Sequence, residues 1–391
     1  MSASDPIIRI RLHHCVQEMS VSYATDARQT VDALIVELST ATHSGWGEVF
    51  MPRVEPLWNW AVRVSPRLLG CVAAGLDLLL EQWPTDRPKL SLQECSTYCH
   101  PEVDCVAEAV SIALHDLHAQ QRGVRFADLL GPIARTEIPG MPVVTLGPIE
   151  LMAAEASDWR AQGVSHLKIK LSGTADRDVS IIQGIRAAVG PGLNLQADAN
   201  GAYESMSTAL PVIAALNAAD VAVIEDLFHI GNADCVRAAR RLLQGQTMLD
   251  KECYWPHVQQ VLAAGLVDLI NQHPHNQGSM TNALRIACAA RTAGVENAIG
   301  SSGIFGIQNT AFLHLAAVTG LTRPCEDIGL HTYYDSPVRT LFRFGSRPTV
   351  LRNPVTMVRG QMKLPAGPGL GVEIDREALG RVTAKTFVLG G

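Results

Sequence analysis

A chain of 391 residues, 47% apolar and 18% charged, is too long for one ordinary core and has the mixture of a soluble globular protein. The net charge of −6 is modest, and no basic stripe with interleaved aromatics is present, which argues against a nucleic-acid partner. The start, MSASDPIIRIRLHH, lacks a basic end followed by a long apolar run, and the greasiest stretch, Leu68–Leu80, carries Asp77 and is too short to span a bilayer; no membrane contact and a cytoplasmic location are expected.

In chain order, Ile7–Gln17 and Asp32–Ser39 have strand character, and Ser44-Gly45-Trp46-Gly47-Glu48 reads as a glycine turn after the second. From about Pro56 the pattern is helical, and Val106–Gln120 carries apolar residues at three- and four-residue steps. Strands followed by clustered helices predict a separate α+β domain over residues 1–135. After Pro139, short apolar runs alternate with amphipathic helices: Val143–Gly147 then Glu150–Gln162, His166–Leu171 then Asp176–Val189, Leu193–Ala197 then Met206–Ala218. The alternation goes on through Val221–Ile224, Thr247–Leu249, Val267–Asn271, a strand ending near Ser301 and one near Cys325–Ile328. Eight strands with helical crossovers fit a closed parallel barrel over 136–330, and residues 331–391 are expected to fold back onto the first domain. The competing open, doubly wound sheet lacks a GxGxxG after its first strand; Gly367-Pro368-Gly369-Leu370-Gly371 reads as a turn.

Nine cysteines are scattered, and Cys95, Cys99, His100 and Cys105 raise a zinc question. Their spacing matches no paired CxxC pattern, so reduced thiols in a reducing compartment are expected.

Four successive barrel strands end in charged groups: Lys168-Ile169-Lys170, Asp198-Ala199-Asn200, Glu225-Asp226 and Asp250-Lys251-Glu252. The gaps Lys170 to Asp198, Asp198 to Glu225 and Glu225 to Asp250 are 28, 27 and 25 residues, each one βα unit, so adjacent strands deliver charge to one rim. Three carboxylates converging in a partly dehydrated mouth repel one another unless a hard cation joins them, and an all-oxygen set suits Mg²⁺. The plainer alternative is that each acid caps the helix after its strand. Lys168 and Lys170, two apart on a strand, point to the same side. Beside a divalent cation and each other their proton affinity is expected to fall, making one a usable base.

The order KxK, DAN, ED and D, with GWGE early and GPGLGVEID late, resembles the enolase superfamily, in its mandelate racemase and muconate lactonizing enzyme branch, over nearly the whole chain from Ile7 to Ile374. The resemblance implies a lid domain on a modified barrel, (β/α)7β, and a symmetric homo-oligomer. It implies that Asp198, Glu225 and Asp250 bind Mg²⁺ and that Lys170 is the base. Lys168 would help hold the substrate carboxylate or tune Lys170.

The chain also departs from that family's pattern. Where the sixth strand usually ends in lysine, or in an aspartate partnering a seventh-strand histidine, this chain has His273, and the seventh-strand position matches Gly303. Lys251 replaces the acid that usually follows Asp250, and Leu227 replaces a proline. Glu326, beside Asp327, matches the eighth-strand acid. His273 is read as an acid or base opposite Lys170, its alternative being a neutral histidine in the barrel wall. Asn200, Lys251, Ser302, Glu326 and His14 complete the candidate substrate-binding set, with a plain surface or core role as the alternative for His14; His275 is read as solvated or structural, and His229 and His331 are left open.

The expected chemistry is removal of the proton α to the carboxylate of a small substrate, with the enediolate stabilised electrostatically. A racemase or epimerase of an amino- or hydroxy-acid derivative is the favoured outcome. A hydroxy-acid dehydratase, a cycloisomerase and a non-catalytic carboxylate-binding barrel are the alternatives.

Overall fold

In a computed structural model, which describes residues 5–22, 27–88, 103–273, 276–300, 304–321, 323–326, 343–344 and 349–391, the chain opens with three antiparallel strands. Cys95, Cys99, His100, His275, Ser302, Gly303, Asp327 and His331 lie outside the described residues. The strands are β1 (Arg9–Ser22), β2 (Ala27–Ser39) and β3 (Ser44–Phe50). Helices α1 (Val54–Val64), α2 (Leu76–Glu81), α3 (Cys105–Arg122) and α4 (Phe126–Leu130) follow. Helix α3 starts where the Asp104 carboxylate accepts the N–H groups of Val106 and Ala107, and it stops at Gly123, whose φ of 65° is left-handed.

The GWGE segment is strand β3, not a turn; the reversal precedes it at Thr40–His43, where Thr40 N–H donates to His43 O. Its two glycines serve a close approach instead. A β-carbon on Gly45 would lie 2.2 Å from Ala113 O, and one on Gly47 would lie 1.8 Å from Ala109 O, so helix α3 rests directly on the strand backbone.

The sheet is buried on both faces, as the two-residue strand period requires. Ile10, Leu12, Leu34, Val36 and Leu38 pack with α1 and α3, while Cys15, Met19, Val31, Ala33, Ile35, Trp46 and Phe50 join the larger core that runs into the barrel.

The parallel strands are β4 (Glu137–Met141), β5 (Val143–Val144), β6 (His166–Lys170), β7 (Asn194–Asp198), β8 (Val223–Glu225), β9 (Gln246–Leu249), β10 (Leu269–Gln272), β11 (Glu296–Ile299) and β12 (Cys325–Glu326). Strands β4 and β5 are one strand interrupted at Pro142, whose carbonyl accepts Lys168 N–H. Hydrogen-bonded neighbours run in order from β5 to β11, and β12 pairs in parallel with β4, so the eighth strand lies against the first. Seven helices cross between them: α5 (Ile149–Ala161), α6 (Ala175–Val189), α7 (Met206–Ala218), α8 (Ala233–Leu242), α9 (His257–Ala263), α10 (Met280–Thr292) and α11 (Ile307–Val318). This is a (β/α)7β barrel.

The chain ends with β13 (Arg343–Phe344), the hairpin β14 (Met357–Val358) and β15 (Gln361–Lys363), α12 (Arg376–Val382) and β16 (Thr383–Gly390), which pairs antiparallel with β1. Among the described residues, no helix is long and apolar enough to cross a membrane.

Candidate active site

Strand register sets the site. Lys170 partners Asp198 across β6 and β7, and Asp198 partners Glu225 across β7 and β8, so three charged side chains form one row at the C-terminal ends of adjacent strands. Asp250 follows β9, whose Leu249 partners Ile270, and His273 follows β10. Lys168, Lys170, Asp198, Glu225, Asp226, Asp250, His273 and Glu326 are all buried.

The row is knitted by lysines. Lys170 Nζ donates to Asp198 Oδ2 at 2.5 Å. Lys168 Nζ lies 2.6 Å from Glu326 Oε1, 2.7 Å from Glu225 Oε2 and 3.0 Å from Asp198 Oδ2. Asp250 turns to the other wall, where its Oδ1 is 3.0 Å from His273 Nε2. Among the described residues no set of three His, Cys, Asp or Glu side chains is arranged for an ion; two of the three candidate acids converge on an ammonium and the third on an imidazole.

Charge nevertheless favours a cation here. Five buried carboxylates (Asp198, Glu225, Asp226, Asp250 and Glu326) meet three ammonium groups, those of Lys168, Lys170 and Lys251. Burial first, and then the negative neighbours led by Asp198, raise Glu225 well above the usual carboxylate range against the pull of Lys168. Burial and Asp250 push Asp226 up to about 7. A hard divalent cation fits this set in its all-oxygen donors and in its charge.

The protein's own groups act on both lysines; the fall in proton affinity expected of them concerns the site with a divalent cation beside them. Burial depresses both, but the carboxylates, led by Asp198, outweigh it and raise both above the ordinary lysine value. Spacing placed the acids near the lysines without showing that they lie within hydrogen-bond reach. His273 is also raised: burial lowers it, and the Asp250 carboxylate more than offsets that.

The other candidates divide. Asn200, with a left-handed φ of 51°, donates its N–H at 2.7 Å and its side-chain amide at 3.1 Å to Asp198. Lys251 gives its backbone N–H to Asp226 and its ammonium to the Asn200 carbonyl, tying the end of β9 to that of β7. His14 bonds Asp32 at 2.6 Å and tilts against Trp58, on the sheet face opposite Cys15 and Met19. Alternation along β1 therefore turns His14 to the sheet face opposite the barrel core. The half-exposed His229 pairs with Glu252 at 2.7 Å outside the cluster. Cys105 is a buried free thiol.

Three site neighbours escaped the sequence reading. Gln196 donates to Glu225 Oε2 at 2.5 Å, and Asn271 donates to Glu326 Oε2 at 2.7 Å. Each lies two residues before a chosen residue, Asp198 and His273, so the strand period was the available signal. The third is Glu48 on β3, fully buried, whose Oε1 accepts the N–H groups of Ile304 and Phe305 and whose Oε2 accepts those of Ile307 and Gln308, at 2.8–3.0 Å. It caps α11 and fastens the lid sheet to the segment after β11.

Residues 151–378 match the family described as Enolase C-terminal domain-like. The chain is 27% identical over 356 residues to D-galactarolactone cycloisomerase of Agrobacterium fabrum, covering 86% of each chain. It is 26% identical over 384 residues to L-Ala-D/L-Glu epimerase of Bacillus subtilis, covering 94% of this chain and 96% of that one. Its fold matches that of a dipeptide epimerase from Cytophaga hutchinsonii, solved with Mg and the dipeptide D-Ala-L-Val, with a TM-score of 0.81 at 20% identity over 98% of this chain and all of that one. Family match, fold and the charged row agree: the chain is an enzyme of the enolase superfamily, in the mandelate racemase and muconate lactonizing enzyme branch.

Proposed function

We propose that this enzyme, with Mg²⁺ bound, removes the proton α to the carboxylate of a small amino- or hydroxy-acid derivative and returns one to the opposite face, acting as a racemase or epimerase. The observation that carries the reading is the placement of Lys170 and His273. Lys170 ends β6 and His273 follows β10, strands four positions apart in an eight-strand ring, so they face each other across the mouth. Relatives named L-Lys-D/L-Arg epimerase and L-Ala-D/L-Glu epimerase support it.

Asp198, Glu225 and Asp250 would hold the ion, with Gln196 and Asn200 orienting the first two acids. A divalent ion there would supply positive charge that balances the acids and stabilises the second negative charge of the enediolate relative to the substrate carboxylate. Lys170 takes or gives the α-proton on its own face at Nζ. His273, its imidazole held by Asp250, does the same at the facing wall. Glu326 is held by the Asn271 amide beside them. Burial of all these groups excludes water from the exchanging proton.

The test is incubation in deuterium oxide with MgCl₂ and a panel of N-acyl amino acids, dipeptides and sugar acids, followed by proton NMR and chiral separation. Deuterium at the α-carbon with inversion and no 2-oxo product is expected. Lys170→Ala should abolish exchange from one enantiomer and His273→Gln from the other. A 2-oxo product would make the enzyme a dehydratase instead, and loss from both enantiomers in only one of the variants would remove the two-face mechanism.

A further inference from the structure

The ammonium of Lys168 is placed as an ion would be. It has three N–H donors and no acceptor, and three carboxylates from three different strands stand at 2.6, 2.7 and 3.0 Å from it. Its side chain is 1% exposed, so no water competes for those contacts. Two of the three acids, Asp198 and Glu225, are the ones assigned above to a divalent ion; the third, Glu326, is not. Lysine and metal cannot both occupy the shared oxygens, because like charges at that separation in a buried site repel strongly.

We propose that Lys168 is a tethered cation that fills the acidic cluster when the metal is absent, and that metal binding displaces its ammonium from Asp198 and Glu225. This rests on the Mg²⁺ reading. In the metal-free chain the lysine keeps buried acids from repelling one another and holds the strand ends together. On loading, the ammonium keeps Glu326 as partner and is released to meet an anionic ligand, so metal must bind before carboxylate.

Titration calorimetry of MgCl₂ into chelator-treated wild type and Lys168→Met tests this without a substrate. The variant is expected to bind Mg²⁺ at least tenfold more tightly. Its metal-free form should melt below wild type, and saturating MgCl₂ should close that gap. Equal affinities would overturn the displacement while leaving Mg²⁺ binding intact; absence of binding to either protein would overturn the Mg²⁺ reading itself. If the variant folds poorly, acylation of wild type by acetic anhydride, read by peptide mass spectrometry, gives a second measure. Labelling of Lys168 relative to exposed Lys385 should rise at least fivefold with saturating MgCl₂, and unchanged labelling would refute the displacement.

Discussion

The imidazole of His273 lies directly on the α-carbon of Gly300: a β-carbon built on that glycine would stand 2.3 Å from Nε2 and 2.5 Å from Cε1. Gly300 follows β11, next to the strand that carries His273, and its N–H donates to Gln272 O at 2.8 Å. The bare backbone on the seventh strand is what admits an aromatic ring at the end of the sixth.

Gly300→Ala should therefore push the ring off Asp250 without touching Lys170. Misplacing a reacting group by about 1 Å costs roughly a hundredfold in rate. Exchange from the enantiomer served by His273 is expected to fall on that scale, with exchange from the other enantiomer within about threefold of wild type. Deuterium incorporation measured separately from each enantiomer decides it; equal losses on both faces would mean that the glycine supports the fold and not the histidine.

Glu48 makes a second prediction, about how lid and barrel stay together. Its carboxylate takes four backbone N–H groups at the start of α11, and the only chain between them and Gly300 is residues 301–303. In Glu48→Gln an amide nitrogen faces two donors it cannot accept from, and the negative charge at the helix N-terminus is lost. A buried donor left without a partner costs about 1–3 kcal/mol. The variant should lose at least about 2 kcal/mol in urea unfolding, and amide hydrogen exchange at 304–308 should quicken. Unchanged protection there would show that the cap is dispensable.

Much of this arrangement was legible in the sequence because it is written in periods. Strands of alternate or continuous apolar character, spaced by amphipathic helices, fix a barrel, and gaps of one βα unit put Lys170, Asp198 and Glu225 in one register row. What was not legible depends on which atoms touch. Alternation gives His14 a face of β1 but not which face looks at the barrel. Glycines at 45 and 47 look like a turn until the helix that rests on them is known. Spacing placed acids near the lysines but could not show that Asp198 lies within hydrogen-bond reach of both.

Those glycines give a third prediction. With Ala109 O only 1.8 Å from a β-carbon at position 47, α3 would have to retreat by more than an ångström from a contact buried in the lid core. Overpacking of this kind costs about 1–3 kcal/mol and at times more. Gly47→Ala should lower the urea-unfolding free energy by the upper end of that range, whereas Gly265→Ala, where a β-carbon meets open space but φ is +60°, should cost only about 1 kcal/mol. Similar losses for the two would discount the close approach.

The last prediction concerns pH. His314 on α11 is fully buried, accepts Ala127 N–H at Nδ1 (3.2 Å) and donates from Nε2 to Leu370 O (3.1 Å), so it is held as the neutral tautomer. Burial, only partly offset by the Leu370 bond, pushes it down to about 4 from an ordinary value of 6.5. With the folded value depressed, the unfolded chain binds the proton first as pH falls through 6.5, and the folded chain follows only near 4. Stability should fall across that window by about 1.4 kcal/mol per pH unit for this one group, reaching about 3 kcal/mol. Asp116, which accepts Leu370 N–H nearby and is pushed up to about 6 by burial, works in the opposite sense below pH 6, so wild type alone blends the two. His314→Gln keeps an acceptor for Ala127 and a donor for Leu370 but cannot titrate. The difference in urea-unfolding free energy between variant and wild type should therefore change in the variant's favour from pH 6.5 to pH 4 by about 3 kcal/mol, with the Asp116 contribution cancelling. A difference that stays flat over that range would mean the folded protein protonates His314 as readily as the unfolded chain does.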